Sequence, residues 1–112
     1  MQNEPIITGR TAVPGSAVGQ VRVILTSAES DLVQEGDILV TPMTDPDMLP
    51  ARQRASAVVT DRGGVLCHAA IICREMGKLC VVGTSKASVL LNNNLTVKVD
   101  AGPKVGAVYS ST

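Results

Sequence analysis

The sequence predicts an α/β sandwich with a mixed sheet and short helices. Two observations carry this. Many short segments read as strands, and two or three segments between them read as helices. A third observation sets the sense of the sheet: stretches with no helical crossover between them can pair antiparallel. The 112 residues suit one compact domain, taken as residues 1–112, and leave no room for a second.

The elements follow in order. Ile6 to Arg10 and Val18 to Leu25 alternate as strands, with Val21 and Val23 sharing one face, and Val13-Pro14-Gly15-Ser16 turns between them. A short polar segment leads to a turn at Glu35-Gly36-Asp37 and a strand from Ile38 to Thr41. Thr44, Asp45 or Asp47 can cap a short helix over about Asp47 to Arg54, where Pro46 or Pro50 is tolerated only in a first turn. "ASAVVTD" reads as a buried strand ending at Thr60-Asp61, and Arg62-Gly63-Gly64 as a loop free to take backbone angles other residues resist. His68 to Met76 is a helix closed by Gly77, with Ala69, Ile72 and Met76 on the face expected to pack inward. "KLCVVGT" is another buried strand. Asn92-Asn93-Asn94 turns, Leu95 to Val99 alternates, Asp100-Ala101-Gly102 turns again, and Val105 to Tyr109 is the last strand.

Composition removes several function classes. Ten basic and ten acidic residues balance, with no basic stripe to meet nucleic acid. Tyr109 is the only aromatic, so stacking surfaces for bases are nearly absent and the core must be aliphatic. Cys67, Cys73 and Cys80 are odd in number and form no CxxC pair, which points to free thiols in a reducing cytosol rather than a disulfide scaffold. No apolar stretch is long enough to span a bilayer, so the expectation is a soluble cytoplasmic domain with no membrane partner.

His68, the only histidine, sits where the Gly63-Gly64 loop becomes a helix. Position alone favours a satisfied core histidine or a neighbour of the helix cap. No metal is expected, because a second histidine is missing and the thiols are badly spaced. A Cys67–His68 nucleophile–base pair is poor, because adjacent residues point apart. Phosphoryl carriage suits a solitary histidine, because the imidazole is itself the nucleophile. Only the neutral ring offers a lone pair, and the positive end of a helix is a poor place for a cation. Free N–H groups at that terminus, those of Ala69 and Ala70, can then receive the phosphate. Gly63 and Gly64 clear the approach. Arg74 is an auxiliary candidate or a surface ion-pair partner, and capping accounts for Asp45 and Asp47 more simply than magnesium does.

"TDRGGVLCHAAIICREMGKLCVVG" resembles the signature of the swivelling phosphohistidine domain of phosphoenolpyruvate-utilising enzymes, the family of pyruvate phosphate dikinase and phosphoenolpyruvate synthase. "TGRTAVPGSAVGQVRVI", "GDILVTPMTDPDMLPARQRASAVVTD" and "LTVKVDAGPKVGAVYS" resemble its opening, middle and closing hairpin, so the likeness covers essentially the whole chain. It implies a β/β/α swivelling unit whose histidine, matched by His68, takes phosphate from an ATP-grasp domain. That histidine delivers it to a separate acceptor site, in the dikinases pyruvate bound with magnesium in a barrel domain. ATP and magnesium would then sit on partner domains or subunits, with no cofactor bound directly. The chain would be a carrier without complete catalysis, either a fragment or a stand-alone subunit.

Some positions depart from the pattern. Leu66 stands where dikinases often place a regulated threonine, and resembles the rifampicin-type antibiotic phosphotransferases. His68-Ala69-Ala70 is more similar to the dikinases, and Leu79 replaces a common proline. Enzyme I of the sugar phosphotransferase system usually differs after its histidine and ranks lower. The alternatives are a carrier for an antibiotic or phenol phosphotransferase, a non-catalytic regulatory module, and the swivelling domain of a small dehydratase subunit. The intact glycine–histidine motif disfavours the last two.

Overall fold

The computed structural model describes residues 4–111. Seven strands form the sheet: β1 (Ile7–Val13), β2 (Gly15–Val23), β3 (Ile38–Thr41), β4 (Ala57–Thr60), β5 (Leu79–Val82), β6 (Thr96–Ala101) and β7 (Val105–Ser110). Three α-helices, α1 (Leu49–Arg54), α2 (His68–Met76) and α3 (Ala87–Leu90), lie between them, with 3-10 turns at Ser27–Leu32 and Pro46–Met48. The mixed α/β class stands, but the sandwich does not. The sheet closes into a barrel in the order β1-β5-β4-β3-β2-β6-β7, because β7 pairs antiparallel with both β6 and β1.

The two halves of the barrel differ as their sequences do. Strands β2 to β5 run parallel, each joined to the next by a helical or 3-10 crossover. β3, β4 and β5 are buried along their whole length, as parallel strands covered on both faces must be. Ile38, Val40, Ala57, Val59 and Val81 belong to one cluster, inside the barrel. Leu39, Val58, Cys80 and Val82 belong to the other, packed beneath Ala51 of α1 and Ala70 and Cys73 of α2. β6 instead alternates between buried and exposed or half-buried positions, the pattern of a strand with one wet face.

Gly9 on β1 stands opposite Gly106 on β7. A Cβ on Gly106 would lie 2.4 Å from Val81 Cγ2, and one on Gly9 would lie 2.5 Å from the Val82 carbonyl oxygen. The barrel closes because these two residues carry no side chain where β5 passes.

Several sequence readings shift. Pro14 alone separates β1 from β2, and these strands are not neighbours in the barrel, so 13–16 is a corner rather than a hairpin turn. The inward face of α2 is Ala69, Ala70 and Cys73, with Ile72 and Met76 only half-buried on its flank. The first turn of the Asp47–Arg54 helix is 3-10, capped by the Asp45 carboxylate accepting from the Asp47 N–H at 2.9 Å. The polar segment after β2 winds into its own 3-10 turn, tied down by Arg54, which donates to the Val33 and Ser30 carbonyls. Among the described residues no helix is long and apolar enough to cross a membrane.

Arg52 is 1 % exposed, and Nε and Nη1 have no hydrogen-bond partner; Nη2 alone donates, to the Asp45 carbonyl at 3.3 Å. A buried cation so poorly compensated weakens the fold. Arg52→Met, which keeps most of the volume, is expected to raise stability by about 1–3 kcal/mol in urea unfolding. Arg52→Ala, which leaves a void, should not.

Candidate functional site

Strands β3 and β4 are parallel neighbours with Thr41 opposite Thr60, so their carboxyl ends release two loops side by side. Parallel strands commonly gather functional side chains at that end. The loops stay together, because the Asp61 N–H donates to the Thr41 carbonyl and the Arg62 N–H to the Pro42 carbonyl. Thr60 Oγ1 donates to the Arg62 carbonyl at 2.7 Å, and the Asp61 carboxylate accepts from the Ser88 N–H at 2.8 Å and from its hydroxyl. Asp61 is therefore occupied in holding α3 to the loop. Among the described residues no group of three His, Cys, Asp or Glu side chains could hold a metal.

The glycine pair divides into two roles. Gly63 has φ +107°, and a Cβ there would stand 2.7 Å from Cys67 Sγ. The loop itself demands that glycine. A Cβ on Gly64 would meet nothing within 4 Å, so the second glycine leaves open space outside the chain. A turn closed by the Cys67 N–H on the Gly64 carbonyl at 3.0 Å then delivers His68 as the first residue of α2.

At this helix end the His68 ring is exposed and, among the described residues, makes no hydrogen bond. Cys67, the extended residue before the helix, is half-buried and packs toward the outer core, so the two side chains diverge. The first helical hydrogen bond runs from the Ile71 N–H to the Cys67 carbonyl at 3.0 Å, which leaves the N–H groups of His68, Ala69 and Ala70 without acceptors. These free donors and the helix dipole suit an anion. Gly77, at φ 65°, closes the far end of the helix, with the Lys78 N–H on the Cys73 carbonyl.

Arg74 lies in the last turn of α2. Its guanidinium donates to the Val65 carbonyl, strapping the glycine loop to the last turn of α2, and among the described residues it forms no ion pair. Leu66, at the loop apex, is 81 % exposed. Cys73 and Cys80 are buried free thiols; hydrogen bonding between them and burial push the Cys80 thiol up, while the same hydrogen bonding draws Cys73 down.

Beside His68 lies a cavity of about 30 Å³. Met43 and Thr44 border it from the β3 loop, Thr60, Arg62 and Cys67 from the β4 loop, and His68 and Ala69 from α2. The sequence singles out no member of the β3 loop for this site; Thr44 is there one of three cap candidates, with Asp45 and Asp47, and the structure gives that role to Asp45. The available signal was a Thr-Pro-Met-Thr loop following a buried strand.

Residues 33–103 match the family described as "PEP-utilising enzyme, mobile domain". The chain belongs to this mobile-domain family. The mobile domain is 50 % identical over 97 % of its length to a probable phosphoenolpyruvate synthase of Methanothermobacter thermautotrophicus, and covers 16 % of that protein. It is 54 % identical over 87 % of its length to phosphoenolpyruvate synthase of Pyrococcus furiosus, covering 12 % of it. The mobile domain thus spans roughly an eighth to a sixth of these relatives. Among solved structures it resembles Enzyme I in solution, with a TM-score of 0.54 and 22 % identity over 66 % of this chain and 31 % of that one. Aconitase X of Thermococcus kodakaraensis is similar over 91 % of this chain and 96 % of that one, with a TM-score of 0.63 and 19 % identity. At those identities the likeness is one of fold alone.

Proposed function

We propose that residues 1–112 form one swivelling phosphoryl-carrier unit in which His68 accepts a phosphoryl group from a nucleotide and hands it on. The observation that carries this is the exposed, unbonded His68 ring at the head of α2, over the free N–H groups of Ala69 and Ala70. In the first transfer a P–O bond of the nucleotide breaks as a ring N–P bond forms. In the second that N–P bond breaks as the acceptor oxygen takes the group. The imidazole needs no base of its own, since the ring lone pair is the nucleophile. The unbonded amides hold the anion between the two steps.

The donor in this reading is an ATP-grasp domain or subunit that binds ATP and magnesium. The acceptor site, a barrel domain or subunit binding pyruvate, is likewise separate. The names of the curated relatives favour pyruvate over an antibiotic or a phenol. Gly64 leaves room for these partners to approach, whereas Gly63 and Arg74 shape the loop that presents the ring. Free thiols and the need for ATP favour a cytoplasmic location in this reading.

Incubating the chain with a cognate ATP-grasp partner and labelled ATP tests the reading. Acid-labile, base-stable label on the peptide that contains His68 is the expected outcome. Label on any other peptide, or none, refutes it.

A further inference from the structure

Thr44 is 6 % exposed, borders the cavity beside His68, and its Oγ1 is buried with no hydrogen-bond partner. Its neighbours are satisfied: Thr41 Oγ1 donates to the Met43 carbonyl, Thr60 Oγ1 to the Arg62 carbonyl, and Thr84 Oγ1 to the Thr60 carbonyl. In this cluster of threonines, Thr44 alone buries a hydroxyl and bonds it to nothing. A buried hydroxyl left so destabilises the fold relative to an apolar group of the same shape. Across the cavity stands the head of α2, whose Ala69 N–H is also without an acceptor.

The cavity, about 30 Å³, is larger than the roughly 10–15 Å³ that one water needs, so it has room for an oxygen-sized group. It opens beside the ring that would carry the phosphate. We propose that Thr44 is a ligand of the phosphoryl group on His68: one phosphoryl oxygen enters the cavity and accepts from Thr44 Oγ1 and the Ala69 N–H. Threonine χ1 has three staggered wells, and the well that presents the hydroxyl to the cavity gains a partner only when an acceptor arrives. The unphosphorylated chain therefore carries an unsatisfied donor that phosphorylation satisfies. This rests on the carrier reading of His68.

The test uses the 112-residue chain and potassium phosphoramidate, a small donor that needs no partner domain. The P–N bond of phosphoramidate breaks, ammonia leaves, and a new N–P bond forms on the ring. A hydrogen bond to the phosphoryl dianion favours that form and lowers its second ionisation constant in pH units. The other charged or titratable side chains lining the cavity are Arg62, Cys67 and His68 itself, and all are unchanged in the variants. Thr44→Val should raise the apparent phosphoryl pKa, read by phosphorus NMR, by about one unit, a ten-fold change in acid constant. Thr44→Ser should restore the parent titration. Thr44→Val should also unfold at no lower temperature than the parent, because the orphan hydroxyl is gone.

If wild type takes label on His68 but Thr44→Val and wild type titrate together, Thr44 is not a ligand and the carrier reading survives. If Thr44→Ser titrates with Thr44→Val, the hydroxyl is not the active group and the proposal is overturned. If wild type takes no label on His68, both the proposal and the carrier reading are overturned.

Discussion

A His68→Asn chain is expected to accept no acid-labile phosphate, from a partner or from phosphoramidate, and to unfold at the parent's temperature. Two observations support the separation. The ring is exposed and unbonded, so the fold loses no hydrogen bond when it is removed. Asparagine and histidine have similar helix propensities, and the position is the first of α2, where the backbone N–H has no acceptor in either case. Surface substitutions of this kind stay within about 0.5 kcal/mol. The asparagine amide, by contrast, has no ring lone pair to attack phosphorus, so the label should fall to the level of a buffer blank. Mass spectrometry of the intact chain, with a thermal melt followed by circular dichroism, reads both halves. Residual label on His68→Asn would place the acceptor elsewhere.

Gly106→Val is expected to do the opposite, removing the fold. A Cβ at that position stands 2.4 Å from Val81 Cγ2 and 2.9 Å from its Cγ1, and Val81 is fully buried inside the barrel. Neither side can retreat. Gly106 is paired with Gly9 across β1–β7, and a Cβ on Gly9 meets the β5 backbone itself. Overpacking by single methylenes costs about 1–3 kcal/mol. A valine at this seam adds three carbons, so about 4 kcal/mol or more is expected. A domain at the lower end of the usual range of about 5–15 kcal/mol is then left close to its midpoint. Urea titration should show the transition near or below the lowest denaturant. Gly64→Ala is the control, since its Cβ meets open space, and should shift stability by less than about 0.5 kcal/mol.

The parts of the fold legible in the sequence are those that local pattern controls. β3, β4 and β5 are short apolar runs because both faces are covered, and they read as buried strands without reference to the rest. α2 was legible to the residue, His68 to Met76, because Gly77 stops it and the glycine loop starts it. What escaped depends on distant partners. Nothing around Gly9 or Gly106 announces that β1 and β7 meet, and that meeting turns a sandwich into a barrel. α3 has four residues, too few to show a period. The inward face of α2 was misjudged because small residues, Ala70 and Cys73, fill a tight gap above β4 and β5 better than Ile72 does.

The candidate site divides in the same way. His68 and the glycine loop are contiguous in sequence and stood out together. Thr44 lies 24 residues before His68 and reaches it only because β3 and β4 pair in register. No local signal separates it from an ordinary helix cap.

Ring closure of the sheet has a bearing on how other molecules recognise this one. Every strand has a hydrogen-bonded neighbour on either side, and although β2 meets β3 only over Val21–Val23, no strand offers a full-length edge for a foreign peptide to zip onto. A second copy finds no full-length edge to extend either, which leaves protruding side chains and loop crests such as Leu66 as the surface for contact. In the carrier reading proposed above, contact of that kind suits a unit that has to leave one station before reaching the next.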